Sequence, residues 1–258
     1  MEKFELTLGT TDTDTVTLSS SLVITGQSIG VASSASGFDD VDGILGIGPV
    51  DLTEDTVSGT SSVPTVTDNL YSQGLISSEV IGISYNPTTS ESTANGELTF
   101  GGTDSSKYSG TLSYVSLTST YPASAYWGIN ESITYGTSGT TVLSSTAGIV
   151  DTGTTLVLIA TNAYDKYVSL TGASLDESTG LLKISSTKYS SLQSLFFNIG
   201  GISYELTKNA QTWPRALNTY IGGSSSSIYL VVGDVSLYHT SALLYTLLII
   251  FCIITAWL

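Results

Sequence analysis

Ala147-Gly148-Ile149-Val150-Asp151-Thr152-Gly153-Thr154-Thr155-Leu156-Val157-Leu158-Ile159 is the stretch whose reading decides the fold. A β-branched apolar run leads into Asp-Thr-Gly and a second one leads out, and such runs bounded by glycine and small polar residues read as buried strands. Between them a carboxylate stands at a bend that glycine makes easy, so Asp151 is expected on a turn between core strands. A carboxylate at such a place needs donors. The neighbouring amides and the hydroxyls of Thr152, Thr154 and Thr155 are the candidates. On these three residues alone an Asx-turn closing a hairpin stays open.

Composition narrows the class. A chain of 258 residues holds one large domain or two modest ones. Charged residues are only 11%, and Ser, Thr, Gly, Val and Tyr are abundant, which favours strands over helices. The formal net charge of −15 makes nucleic acid a poor partner, because phosphate binding wants a basic face. An acidic, Lys-poor surface sheds its self-repulsion as carboxylates protonate, so activity in acid is expected. The single cysteine, Cys252, forbids an intrachain disulfide. Asn130-Glu131-Ser132 is an N-glycosylation sequon, and Met1 to Leu6 lacks an apolar signal region. His239, the one histidine, has no Cys or His neighbour, and no metal or cofactor is expected.

Short strands are expected at Leu6–Leu8, Thr15–Leu18 and Leu22–Ile24, separated by Ser- and Gly-rich turns. Asp42-Gly43-Ile44-Leu45-Gly46-Ile47-Gly48-Pro49 is a compact apolar loop whose glycines suit close backbone packing. Pro64 and Gly74 punctuate a helix over Thr65–Gln73. Strands follow at Val80–Tyr85 and Glu97–Phe100, then a short helix over Thr161–Val168 capped by Thr161 or Asn162. Leu195–Ile199 and Ile228–Val232 read as further strands. Trp127 reads as a core aromatic, Tyr126 equally as a core or a cleft residue.

Ile149-Val150-Asp151-Thr152-Gly153-Thr154-Thr155 resembles the second active-site loop of the pepsin family of aspartic endopeptidases. Four further phrases stand in the family's order: Asp42 to Gly48, Phe100-Gly101-Gly102-Thr103-Asp104, Tyr126-Trp127-Gly128-Ile129 and Leu230 to Val235. The resemblance runs from about Asp12 to Val235 and is closest to secreted fungal members. It implies a mainly β, bilobal acid-protease fold with an incomplete first lobe over residues 1–110, a second lobe over 111–235 and an apolar tail over 236–258. Asp151 is then the catalytic carboxyl. Ile149, Gly153, Thr154, Thr155, Ile44 and Tyr126 contact a polypeptide substrate, while Thr152, Gly46 and Gly233 support the catalytic loop. Secretion follows from the same likeness.

The family duplicates its machinery, one Asp-Thr-Gly and one apolar-apolar-Gly segment to each lobe. This sequence has Ile44-Leu45-Gly46 and Val231-Val232-Gly233, but one Asp-Thr-Gly only. Aspartic proteases work with two close carboxylates that share a proton, one taking a proton from water while the other donates to the peptide carbonyl. The isolated chain is therefore expected to be close to inactive, and monomeric. A non-catalytic peptide-binding or membrane-tethered relative is the alternative. Residues 242–258 are almost wholly apolar and, as a helix, would span about 26 Å, the lower limit for a bilayer. Either a membrane anchor or a segment translated from the wrong frame or an unspliced intron accounts for that tail.

Overall fold

The computed structural model describes residues 5–36, 41–90 and 93–237. They form two compact units, residues 5–85 with 96–109, and residues 86–95 with 110–237. Cys252, His239 and the expected apolar helix over 242–258 lie outside the described residues. Among those described, no helix is long and apolar enough to cross a membrane. Both units are mainly β.

In the first unit, β1 (Glu5–Ser19) and β2 (Leu22–Ser36) pair antiparallel along their whole length. The three short strands expected here are parts of one long hairpin. Register shifts, as between Asp14 and Val16, absorb the irregularity of the sequence without ending the strands. Helix α1 (Val66–Ser72) begins with a reciprocal capping box: Asp68 N–H donates to Thr65 Oγ1, and Thr65 N–H donates to Asp68 Oδ2 at 2.7 Å. Val66, Leu70 and Ile76 bury against Ile24 of β2. Two amide side chains fasten the helix to the strand, Asn69 Nδ2 donating to Gln27 Oε1 at 2.9 Å and Gln73 Nε2 to the Thr25 carbonyl at 3.0 Å. β3 (Ile81–Ser84) and β4 (Glu97–Phe100) complete the unit as an antiparallel pair.

The second unit carries β5 (Gly128–Tyr135), β6 (Thr140–Ile149), β7 (Val157–Ile159), α2 (Thr161–Thr171), β8 (Ser174–Asp176), β9 (Leu181–Ile184), α3 (Ser186–Ser190), β10 (Leu195–Ile199), β11 (Ile202–Leu206), β12 (Ile228–Leu230) and β13 (Val232–Asp234). Three sheets result, in the orders β11-β10-β5-β6, β12-β9-β8 and β13-β7, and the last pair is parallel. Ile133, Ile159, Tyr167, Leu182, Leu195 and Leu230 are central to the core that joins them. Within it Tyr167 meets Tyr135 edge-on, ring centroids 6.4 Å apart, and donates its hydroxyl to Gln211 Oε1.

The stretch Ile228–Val232, expected as one strand, divides at Val231. Its N–H donates to the Gln211 carbonyl and its carbonyl accepts from Val157, so the chain leaves one sheet and joins another there. Helix α2 also corrects an expectation. Its N-cap is Ala160, with no side-chain cap; Thr161 spends its hydroxyl on Asp234, and Gly172, at φ +67°, ends the helix.

Candidate active site

Asp151 lies on the loop that leaves β6 and enters β7. The two strands do not pair with each other: β6 pairs with β5, and β7 pairs with β13. The turn therefore does not close a hairpin but passes from one sheet to the next. Its carboxylate is half-buried and held at both oxygens. Gly153 N–H donates to Oδ1 at 2.8 Å, and Thr154 Oγ1 donates to Oδ2 at 3.1 Å. The first bond is that of an Asx-turn, formed here inside the larger loop. Of the donors expected from the sequence, the Gly153 amide and the Thr154 hydroxyl are used; Thr152 and Thr155 are exposed.

The flanks are tied into the sheets by backbone hydrogen bonds. Ile149, buried at the end of β6, stands opposite Gly128 at the start of β5. Val150 N–H donates to the Trp127 carbonyl at 2.9 Å, which ties the Tyr126-Trp127 segment to the residue before Asp151. Tyr126 and Trp127 are 38% and 39% exposed, so Trp127 is not the core aromatic its sequence context suggested. On the other side Val157 N–H donates to the Val231 carbonyl at 2.8 Å, and Gly233 runs alongside Leu158 in the parallel ladder.

One buried carboxylate in this frame was given no role in the sequence reading. Asp234 Oδ1 accepts from Thr161 Oγ1 at 3.0 Å and from Ser236 N–H at 2.9 Å, tying the end of β13 to the first residue of α2. The signal was present, an Asp directly after Val232-Gly233, but its partner lies 73 residues away in sequence.

Structure thus gathers Ile149, Asp151, Gly153 and Thr154 in one loop, with Tyr126 one backbone contact away and Gly233 one strand away. Ile44 and Gly46 belong to the first unit. Ile44 is 66% exposed, and a Cβ added at Gly43 or Gly46 meets nothing within 4 Å, whereas one at Gly48 meets Leu52 Cδ1 at 2.7 Å. The tight glycine of that loop is Gly48. Asn130 is exposed on β5, its Oδ1 accepting from Thr118 Oγ1 at 2.8 Å. Among the described residues no group of three His, Cys, Asp or Glu side chains is placed to hold a metal ion.

Comparison with known proteins accords with this geometry. Residues 5–241 match the family model described as eukaryotic aspartyl protease. The chain is 65% identical over 228 residues to polyporopepsin from Irpex lacteus, covering 88% of this chain and 66% of that protein. Rhizopuspepsin-1 from Rhizopus niveus is 35% identical over 229 residues, covering 87% of this chain and 55% of the relative. A crystal structure of the aspartic proteinase from Irpex lacteus superposes with a TM-score of 0.86, over 88% of this chain and 67% of that one. The chain therefore spans about 55–67% of the length of these relatives. With its mainly β, pepsin-like fold and its Asp-Thr-Gly loop set between two sheets, the chain belongs to the eukaryotic aspartyl protease family.

Proposed function

We propose that this chain carries one of the two catalytic carboxyls of an aspartic endopeptidase that cleaves polypeptides in acid. The observation that carries the reading is the setting of Asp151: a half-buried carboxylate, oriented at both oxygens, on a loop fixed by two different sheets. A group so held is pre-positioned to exchange a proton with water or with a peptide carbonyl. Its side chain is the reacting group. Ile149, Gly153, Thr154, Thr155 and Tyr126 line the substrate path beside it, and Ile44 contributes to the pocket for the residue preceding the scissile bond. Thr152 and Gly233 keep the loop in place, and Gly46 belongs to the corresponding supporting segment of the first unit. Residues 1–110 and 111–235 act as the two lobes. The protein works outside the cell, with Asn130 as a glycan acceptor.

General acid–base assistance contributes roughly 10²–10⁴-fold to a rate, and one carboxyl cannot serve both partners of the reaction at once. These 258 residues contain one Asp-Thr-Gly. Their own turnover is therefore expected to be close to background. The test is cleavage of haemoglobin at acid pH, with and without pepstatin. Robust pepstatin-sensitive hydrolysis by the 258-residue monomer sinks the one-carboxyl account. If that hydrolysis also survives Asp151→Asn, the assignment of Asp151 falls with it. The single Asp-Thr-Gly also favours a second reading, a peptide-binding relative without turnover, which predicts saturable binding of apolar peptides that is unaffected by Asp151→Asn.

A further inference from the structure

Glu131 is an acidic residue in the wrong surroundings. It stands in the middle of β5 between Ile129 and Ile133, on the face buried in the second unit's core, and it is 1% exposed. Among the described residues neither oxygen of its carboxyl has a hydrogen-bond partner. Across the ladders it stands opposite Thr146 of β6 and Ile199 of β10. β6, β10 and the short turn Ala123–Ala125, the main elements packed against β5, carry no ionisable side chain. Beyond β6, α2 brings Asp165 and Lys166, both exposed, and two phenols, Tyr164 and Tyr167, of which Tyr167 donates to Gln211. On β5 itself the other titratable group is Tyr135, whose hydroxyl accepts from Gln193 N–H. Among the described residues no cation and no donor reaches the carboxyl.

An ionised carboxylate left unpaired in an apolar core is strongly disfavoured, whereas the protonated group of the same shape loses far less on burial. We propose that Glu131 is a proton-operated lock on the second unit: neutral in acid, it lets the four-stranded sheet stay packed, and on ionising it drives that sheet apart. The lock rests on packing alone and holds whether or not the chain cleaves peptides.

Burial pushes the Glu131 carboxyl up to about 8, from an ordinary value of 4.5. The folded unit thus retains a proton that the unfolded chain has already released. Between those two pH values the folded state binds more protons than the unfolded one, so stability falls as pH rises. Its full value is present below about pH 4.5, and the decline levels off near pH 8. One proton corresponds to a tenfold change in the folding constant per pH unit, on the order of 10³-fold across the window.

The test is urea unfolding of the full chain between pH 4 and pH 8.5, followed by the fluorescence of Trp127 and Trp213, both in this unit, in a Trp257→Phe background. The ratio of folding constants, Glu131→Gln over Glu131, is expected to rise on the order of 10³-fold from acid to alkaline pH. A ratio that stays constant overturns the proposal. Carboxyl ¹³C NMR of the unaltered chain decides independently of any variant's ability to fold. A Glu131 midpoint far above the other glutamates supports the lock, and one among them refutes it.

Discussion

Gly128→Ala is the substitution that best probes how the loop bearing Asp151 is held. Gly128 opens β5, donates its N–H to the Tyr126 carbonyl at 2.7 Å and accepts from Thr118 N–H at 2.9 Å. A Cβ at this position meets the Ala123 carbonyl oxygen at 2.1 Å, the Ala123 carbonyl carbon at 2.7 Å and Thr118 Cγ2 at 2.9 Å. The backbone conformation itself suits any residue, so the requirement for glycine is one of space. The obstacle is main chain, which has no rotamer to retreat into, and the turn Ala123–Ala125 must move by about 1 Å to make room. Overpacking of a rigid site costs roughly 1–3 kcal/mol, and a backbone clash belongs at the upper end, about 3 kcal/mol. Because Trp127 holds Val150, the movement is passed to the residue before Asp151. In urea at pH 5 the Trp-monitored midpoint should drop by about 1–2 M, taking a typical slope for a domain of this size. Gly102→Ala, where a Cβ meets open space in the first unit, is the control, its loss read by far-ultraviolet circular dichroism. A Gly128→Ala loss no larger than that control's would refute the close-packing argument.

Two further outcomes follow from hydrogen bonds already described. Thr154→Val deletes the donor to Asp151 Oδ2 and keeps the shape, so the second unit should lose about 1 kcal/mol in the same urea assay, while Thr155→Val, at an exposed position, stays within about 0.5 kcal/mol. Thr65→Ala opens the capping box of α1 and should destabilise the first unit by about 1 kcal/mol, read by far-ultraviolet circular dichroism; Thr65→Ser should recover most of it.

Some of this fold was legible in the sequence because its causes are local. Leu195–Ile199 is a short, mostly apolar run and Glu97–Phe100 alternates polar with apolar residues; both are bounded by glycine or turn residues, and each is a strand with those limits. Helix α1 was announced by Pro64 and Gly74 for the same reason. What stayed hidden depends on partners far along the chain. The cap of α2 was misassigned because the Thr161 hydroxyl is taken by Asp234, and the division at Val231 becomes visible only once Val157 and Gln211 are known to bond there. Trp127 is 39% exposed, and the bond that ties it to this loop is made by its carbonyl, which accepts from Val150 N–H. The turn at Asp151 was legible from its neighbours in sequence, yet the reason it is not in a hairpin lies in β13. Glu131 was masked by its place in a glycosylation sequon, although Ile129 and Ile133 on either side already put it on the inward face.

The parallel pairing of β7 with β13 has a consequence for biosynthesis. The tie from Thr161 to Asp234 spans 73 residues, which a ribosome takes about 4–15 s to add. During that interval β5 and β6 are available to pair, but the strand that anchors the far side of the acidic loop does not yet exist. Nascent chains stalled before Val232 should therefore carry a formed β5–β6 hairpin and an acidic loop anchored on one side only, so that the full fixing of Asp151 is among the last steps of folding.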